Sequence, residues 1–258
     1  YEPGTETIAV DKLFPVKKND NKLKVTYTNN PAWMMVEALP TIAHASTKDA
    51  IGLAAKYYAN TLSAHLMQIA GQNDSLSVMN AYKEESLFAL RQLQLADGSF
   101  AWWPGMRGSF YVTVAVTEML QRLNMMLGEQ TSTKKLLTNS MKFMAGEVSK
   151  HVEVLKHLEA KKYDNLLPSE ADMQYLYICA MRKEGLNHPD NKYLLGLVEK
   201  RPALFTIYGK AMMSVILARN GNVKLAKEHF ESLKQYTVYT DEMGRYFDTK
   251  SASYSWFD

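Results

Sequence analysis

The chain has 258 residues, 47% of them hydrophobic, so it can bury a substantial core, and its length admits one large domain or two ordinary ones. Its 30 basic and 27 acidic residues leave a formal charge of +3, too balanced and too dispersed to argue for a nucleic-acid partner. No apolar stretch is long enough to span a bilayer, and the opening Tyr-Glu-Pro-Gly has neither a signal peptide nor a start methionine, so the chain reads as an excised piece of something longer.

Residues 1–30 differ from the rest. Leu23, Val25 and Tyr27 alternate with Lys24, Thr26 and Thr28, and Ile8-Ala9-Val10 is a second short strand candidate. Two strands alone are marginal in water, so this segment is expected to be a β linker or remnant of a preceding β domain, or else a ribbon lying on the helical body, joined at Asn29-Asn30-Pro31. From Pro31 onward helical periodicity dominates. A short helix over 32–43 is interrupted by Pro40, and a long one starts at Ser46 with Ile51, Ala54, Ala55, Tyr58, Leu62 and Leu66 on one face. Further helices are expected over 75–95, 109–127, 133–160, 169–184, 190–199, 203–219 and 222–236, punctuated by Gly185, Pro189, Pro202 and Gly221.

Between the third and fourth of these lies the most distinctive stretch. Asp97-Gly98 closes one helix, Pro104-Gly105 opposes its continuation, and Ser109 is placed to cap the next. Phe100, Trp102, Trp103, Phe110 and Tyr111 crowd this loop, which is too apolar to be simply solvated. The rings are read first as a plug packing against helix ends, with Phe100, Trp102 and Trp103 at least partly buried, and second as a platform for a sugar or apolar ligand. Asp97 is the nearby carboxylate, and turn chemistry already accounts for it.

Metal and redox chemistry find little support. Cys179, the one cysteine, sits in an apolar helical run and reads as a buried inert thiol. His44, His65, His151, His157, His188 and His229 form no HxxxH or HExxH pattern, so no metal site and no cofactor are expected.

Serial helices with short turns pack antiparallel, and their hairpins build a bundle, a solenoid or a closed ring. The aromatic loop recurs in outline as Thr240-Asp-Glu-Met-Gly-Arg-Tyr-Phe-Asp248, again after a helix, and repeated hairpins with loops gathered at one end describe an α/α toroid. The expected fold is therefore all-α, a terpenoid cyclase-like ring over 31–258, with a short N-terminal β segment.

These residues resemble a known family, the thioester-containing helical domain of the α2-macroglobulin and complement proteins, in its bacterial branch. The resemblance is carried by Asn30-Pro31-Ala32-Trp33 with Ala38-Leu39-Pro40, by Tyr57-Tyr58-Ala59-Asn60, by Gln94, Asp97-Gly98-Ser99-Phe100 and Trp103-Pro104-Gly105, and by Ser109, Tyr111, Thr113 and Leu120. It implies a Cys-x-Glu-Gln thioester motif where Asp49-Ala50-Ile51-Gly52 stands here, and neither bonding partner is present. Without a thiol the family's nucleophile-capturing chemistry does not operate. Asp49 has an ordinary alternative role at the third position of a helix capped by Ser46. In the family a further helix follows the segment resembling Gly244-Arg-Tyr-Phe-Asp248, so the ring is expected to be truncated, with an open seam.

The resemblance implies a non-enzymatic domain of a large envelope or periplasmic protein that traps proteases sterically, flanked by neighbouring β domains. A rival reading is an α/α-toroid carbohydrate-active enzyme, which needs facing carboxylates; Glu84, Glu85, Glu118, Asp172 and Asp248 are the candidates. A third is a carbohydrate- or peptide-binding module built on Trp102, Trp103 and Tyr111.

Overall fold

The computed structural model describes residues 39, 41–44, 46–69, 76–182, 185–200, 206–242 and 244–247. The strand candidates within 1–30, the junction Asn29-Asn30-Pro31, residues 32–38, Asp248 and the terminal aromatics Tyr254, Trp256 and Phe257 lie outside the described residues.

Eight long helices make up most of the described chain: α1 (Ala50–Ile69), α2 (Leu76–Gln92), α3 (Phe110–Leu127), α4 (Lys134–Ala160), α5 (Glu170–Arg182), α6 (Pro189–Lys200), α7 (Ile207–Arg219) and α8 (Val223–Lys234). They fall in a single unit rather than two helical domains. Two short antiparallel ribbons accompany them, one between α2 and α3 and one after α8. One pairs β1 (Phe100–Ala101) with β2 (Gly108–Ser109), and the other pairs β3 (Thr237–Thr240) with β4 (Gly244–Phe247). The second ribbon corrects the expectation of a plain acidic and aromatic loop over 240–248. Thr237, Val238 and Tyr239 are β-formers, and their pairing with Phe247, Tyr246 and Arg245 satisfies backbone groups that a loop would leave to water.

Helix starts follow local capping chemistry. Ser109 Oγ accepts from Val112 N at 3.4 Å, Thr206 Oγ1 from Gly209 N at 3.0 Å, and Asn222 Oδ1 from Leu225 N at 3.3 Å. The start of α1 differs from expectation. Asp49, not Ser46, precedes the helix: its carbonyl accepts from Leu53 N at 2.9 Å and its Oδ1 from Gly52 N at 2.8 Å. A carboxylate at this position satisfies an orphan N–H and opposes the positive end of the helix dipole, whereas Ser46 lies in the preceding non-helical segment.

The packing order is two-layered. α1 packs on α3, α3 on α5 and α5 on α7, so the odd-numbered helices form a row; α2 lies against α1, α4 against α3 and α6, and α8 against α7. Burial follows from position. α5 stands between neighbours and buries nine residues, from Asp172 to Met181, around most of its circumference. α8 has one packed side and buries only Ala226, His229 and Leu233, at helical spacing. For the same reason the stripe of α1 is turned from the expected one: Ala50, Leu53, Ala54 and Tyr57 are buried, while Ile51, Tyr58, Leu62 and Leu66 are only half-buried.

Two apolar clusters meet at α3. Val112, Val116, Leu120 and Leu123 join Leu53, Tyr57, Leu87, Leu90 and Phe100, whereas Val114 faces Met144, Val148, Met173, Leu176 and the helices beyond. Each such side chain removed from water contributes about 1.5–3 kcal/mol. α3 is thus the shared wall of both cores, and the aromatic loop leads directly into it.

Candidate functional site

The loop from Gln94 to Ser109 is built on short-range backbone pairing. Leu95 N donates to Ser99 O at 2.8 Å, Ala101 N to Leu93 O at 3.0 Å, and Gly98 N to Leu95 O at 3.0 Å. α2 has already ended at Gln92, so Gly98 is not the helix cap the sequence suggested; it sits at the tip of this tight turn with φ 93°. A side chain there would be strained by its backbone and would overlap the carbonyl oxygen of Asn139 on α4. Asp97 Oδ1 accepts from Ser99 N at 2.9 Å and Ser99 Oγ at 2.6 Å, and these hydrogen bonds hold its carboxyl below the usual range. That is the Asx turn its position implied.

Polar staples then fix the loop to the helices. Phe100 N donates to Thr113 Oγ1 at 2.8 Å, and Thr113 Oγ1 donates to Ser109 O at 2.7 Å. Gln94 Nε2 reaches Leu136 O at 3.0 Å and Ser140 Oγ at 3.1 Å on α4, and Asn139 Nδ2 donates to Gln94 Oε1 at 3.3 Å. The expected ring cluster divides accordingly. Phe100 is fully buried, while Trp102 and Trp103 keep 37% and 44% of their surface exposed. Trp102 stacks on Tyr111, with ring centroids 5.9 Å apart and planes 25° from parallel. Burial, and next the charge of Glu170, push the Tyr111 hydroxyl pKa up.

The loop also touches the second stretch singled out in the sequence. Ala50 N, the first helical residue after Asp49, donates to Trp102 O at 3.1 Å. Asp49 Oδ2 accepts from Thr47 Oγ1 while Oδ1 caps the helix, so both its oxygens are engaged. A side chain at Gly52 would overlap Thr47, whose hydroxyl and methyl groups fill that space. An open groove of about 510 Å³ runs beside this corner, bordered by Thr47, Lys48, Leu53, Phe88, Leu93 and Pro104.

Two of the candidate acids, Glu118 and Asp172, are engaged by structural partners. Glu118 accepts from Arg122 Nε at 2.9 Å and Nη2 at 2.7 Å. Asp172, almost fully buried, accepts from Ser169 N at 3.0 Å and Ser169 Oγ at 2.6 Å through Oδ2, and its Oδ1 lies 2.7 Å from His151 Nδ1. Ser169 Oγ in turn accepts from Asp172 N at 3.1 Å, which makes the pair a reciprocal cap of α5. Glu84 and Glu85 are exposed. Among the described residues no group of three or more His, Cys, Asp or Glu side chains could hold a metal ion, and no helix is long and apolar enough to cross a membrane. Cys179 is buried, with Asn191 Nδ2 4.0 Å from its sulfur.

Thr47, Gln94, Thr113 and His151 were not read from the sequence as site residues. Thr113 lies four residues after Ser109, the spacing that lets a hydroxyl reach back to a carbonyl one turn earlier, so its backbone bond was legible; its second bond to Phe100 N was not.

No protein-family model matches the chain, and no curated protein sequence matches it. Solved structures do match. One is a cryo-EM reconstruction of the native conformation of E. coli alpha-2-macroglobulin, which aligns with a TM-score of 0.57 at 16% identity over 81% of this chain. The chain spans 13% of the length of that protein. At this identity the likeness is one of fold: the mostly helical chain is similar in fold to a part of a bacterial α2-macroglobulin.

Proposed function

We propose that the chain is the non-enzymatic helical domain of a bacterial α2-macroglobulin-like protein that traps proteases without covalent thioester capture. The observation that carries this reading is the fold likeness over 81% of the chain, joined to the chemistry at the head of α1. Where the sequence resemblance places a thioester, Asp49 offers a carboxylate already engaged by Gly52 N and Thr47, and Gly52 has Thr47 in the space a glutamine side chain would need. A carboxylate so placed caps a helix; it is not an activated acyl group.

The row formed by α1, α3, α5 and α7 supports an arc of an α/α toroid over 31–258, with residues 1–30 as the link to a neighbouring β domain. The domain then works as a rigid body whose contacts with the other domains of the parent chain hold its uncleaved state, and trapping is steric. The parent's place is the periplasm or cell envelope.

The test uses the full-length parent, mixed with a protease and separately with methylamine. The expected result is no mass gain at residues 49–52 and no protease adduct surviving denaturing electrophoresis, while the captured protease loses activity on large substrates and keeps it on small ones. Amine incorporation or a covalent adduct overturns the non-covalent reading. Unchanged activity on large substrates overturns trapping. A second reading, a carbohydrate- or peptide-binding platform, is favoured by the exposed stack of Trp102 on Tyr111; saturable quenching of tryptophan fluorescence by glycans or peptides is its signature.

A further inference from the structure

The α7–α8 hairpin carries a buried ionisable group that the proposed function does not use. The buried residues of α8 are Ala226, His229 and Leu233, with Leu225 packed half-buried beside them, so a polar ring forms the middle of its buried stripe. His229 is only 3% exposed, and its Nε2 is buried with no hydrogen-bond partner. On α7, the helix against which α8 packs, Lys210 is itself 6% exposed, and its Nζ donates to Tyr236 OH at 2.8 Å and lies 4.5 Å from the centre of that ring. Tyr236 follows α8 and leads into β3, so the same lysine also holds the ribbon's entry. Among the described residues neither Lys210 nor His229 is in an ion pair. Among the described residues the carboxylate that acts on the imidazole is that of Glu228, its neighbour in sequence on α8.

Two basic side chains are thus buried on the two helices of one packed hairpin. A neutral imidazole is tolerated there; an imidazolium would be desolvated and set against the Lys210 ammonium. We propose that His229 makes α8, with the β3–β4 ribbon behind it, an acid-sensitive element that loosens from α7 when the imidazole takes up a proton. Burial first and the Lys210 charge second hold the imidazole's pKa below its ordinary value of 6.5, against the smaller pull of Glu228. The direction of the linkage follows. Below the ordinary histidine value the loosened state binds more protons than the packed one, so the attachment is complete above about pH 6.5 and weakens as pH falls below it. α1 and α2 have no part in this contact, so their stability should not follow the same curve.

Hydrogen exchange of the whole 258-residue chain, measured peptide by peptide from pH 7.5 to 5.0 and corrected for intrinsic rates, tests this. Protection of peptides covering 223–247 is expected to fall with acidification, with a slope of up to about tenfold per pH unit, the limit set by one proton. Peptides covering α1 and α2 should hold their protection. His229→Leu removes the titrating group and should flatten the slope; Lys210→Met, which keeps the histidine and removes the buried lysine charge, should reduce it. A slope unchanged in the His229→Leu chain, protection over 223–247 equal at both pH limits in the parent sequence, or parallel loss in α1 and α2 overturns the proposal. Should His229→Leu fail to fold, the Lys210→Met slope decides by itself: reduced supports the proposal, unchanged overturns it.

Discussion

The two β ribbons share a plan and differ in anchorage. Each follows an even-numbered helix, α2 or α8, and each joins an acidic turn to aromatic residues. In the first, Phe100 is fully buried, its N–H is held by Thr113, and Gly98 lies against the backbone of α4. In the second, Tyr239 and Phe247 are 62% and 47% exposed, and a side chain at Gly244 would meet nothing within 4 Å. A repeated pattern in the sequence therefore specifies a local conformation but not its burial. What separates the ribbons is α3 and α4, which close over the first of them.

Substitutions at matched positions sharpen the contrast. The largest effect is expected for Phe100→Ala, which opens a cavity beside Leu90 and Val112 and should cost about 3–5 kcal/mol in denaturant unfolding. Phe247→Ala should stay within about 0.5 kcal/mol. Equal costs would mean that the second ribbon is as firmly packed as the first. Next comes the pair of glycines with positive φ, Gly98 at 93° and Gly244 at 69°. Gly98→Ala combines backbone strain with overlap on Asn139 and should cost about 3 kcal/mol, whereas Gly244→Ala has only the strain and should cost about 1 kcal/mol. A Gly98→Ala chain that melts with the Gly244→Ala chain would show that α4 moves aside.

The smallest effect belongs to Asp97. Its carboxyl is held below the ordinary value of 3.8 by the Ser99 hydrogen bonds, so its stabilisation is present above that value and is lost as pH falls through the lower folded value. Asp97 is exposed, and solvent screening keeps the contribution modest. A melting profile between pH 5 and 2 should be slightly flatter for Asp97→Asn than for the parent chain. Identical profiles would mean that Ser99 gives the carboxylate nothing it lacks when unfolded.

Much of the helical body was legible because its signals are local. The helices expected from 190, 203 and 222 start within four residues of those observed, at Pro189, Ile207 and Val223, since Pro and Gly punctuation acts inside about one turn. The Asx turn at Asp97 and the Ser109 cap were legible for the same reason. The start of α1 was not, because Ser46 and Asp49 are both good caps and the choice between them depends on Thr47, which bonds Asp49 and fills the space over Gly52. The stripe of α1 was also misjudged: periodicity gives the width of an apolar face, and a helix with neighbours on two sides turns that face between them.

The candidate site divides along the same line. The sequence by itself determined the ring-rich loop, the absence of cysteine and glutamine from residues 49–52, and the helix near each, because residue type and spacing carry that information within one or two turns. Only the tertiary structure decided that Phe100 is core while Trp102 and Trp103 meet solvent, that Asp172 is consumed by Ser169 and His151, and that the Trp102 carbonyl meets the head of α1. Those outcomes depend on which surfaces α3 and α4 cover, and that is fixed by packing between segments tens of residues apart, where no local propensity acts.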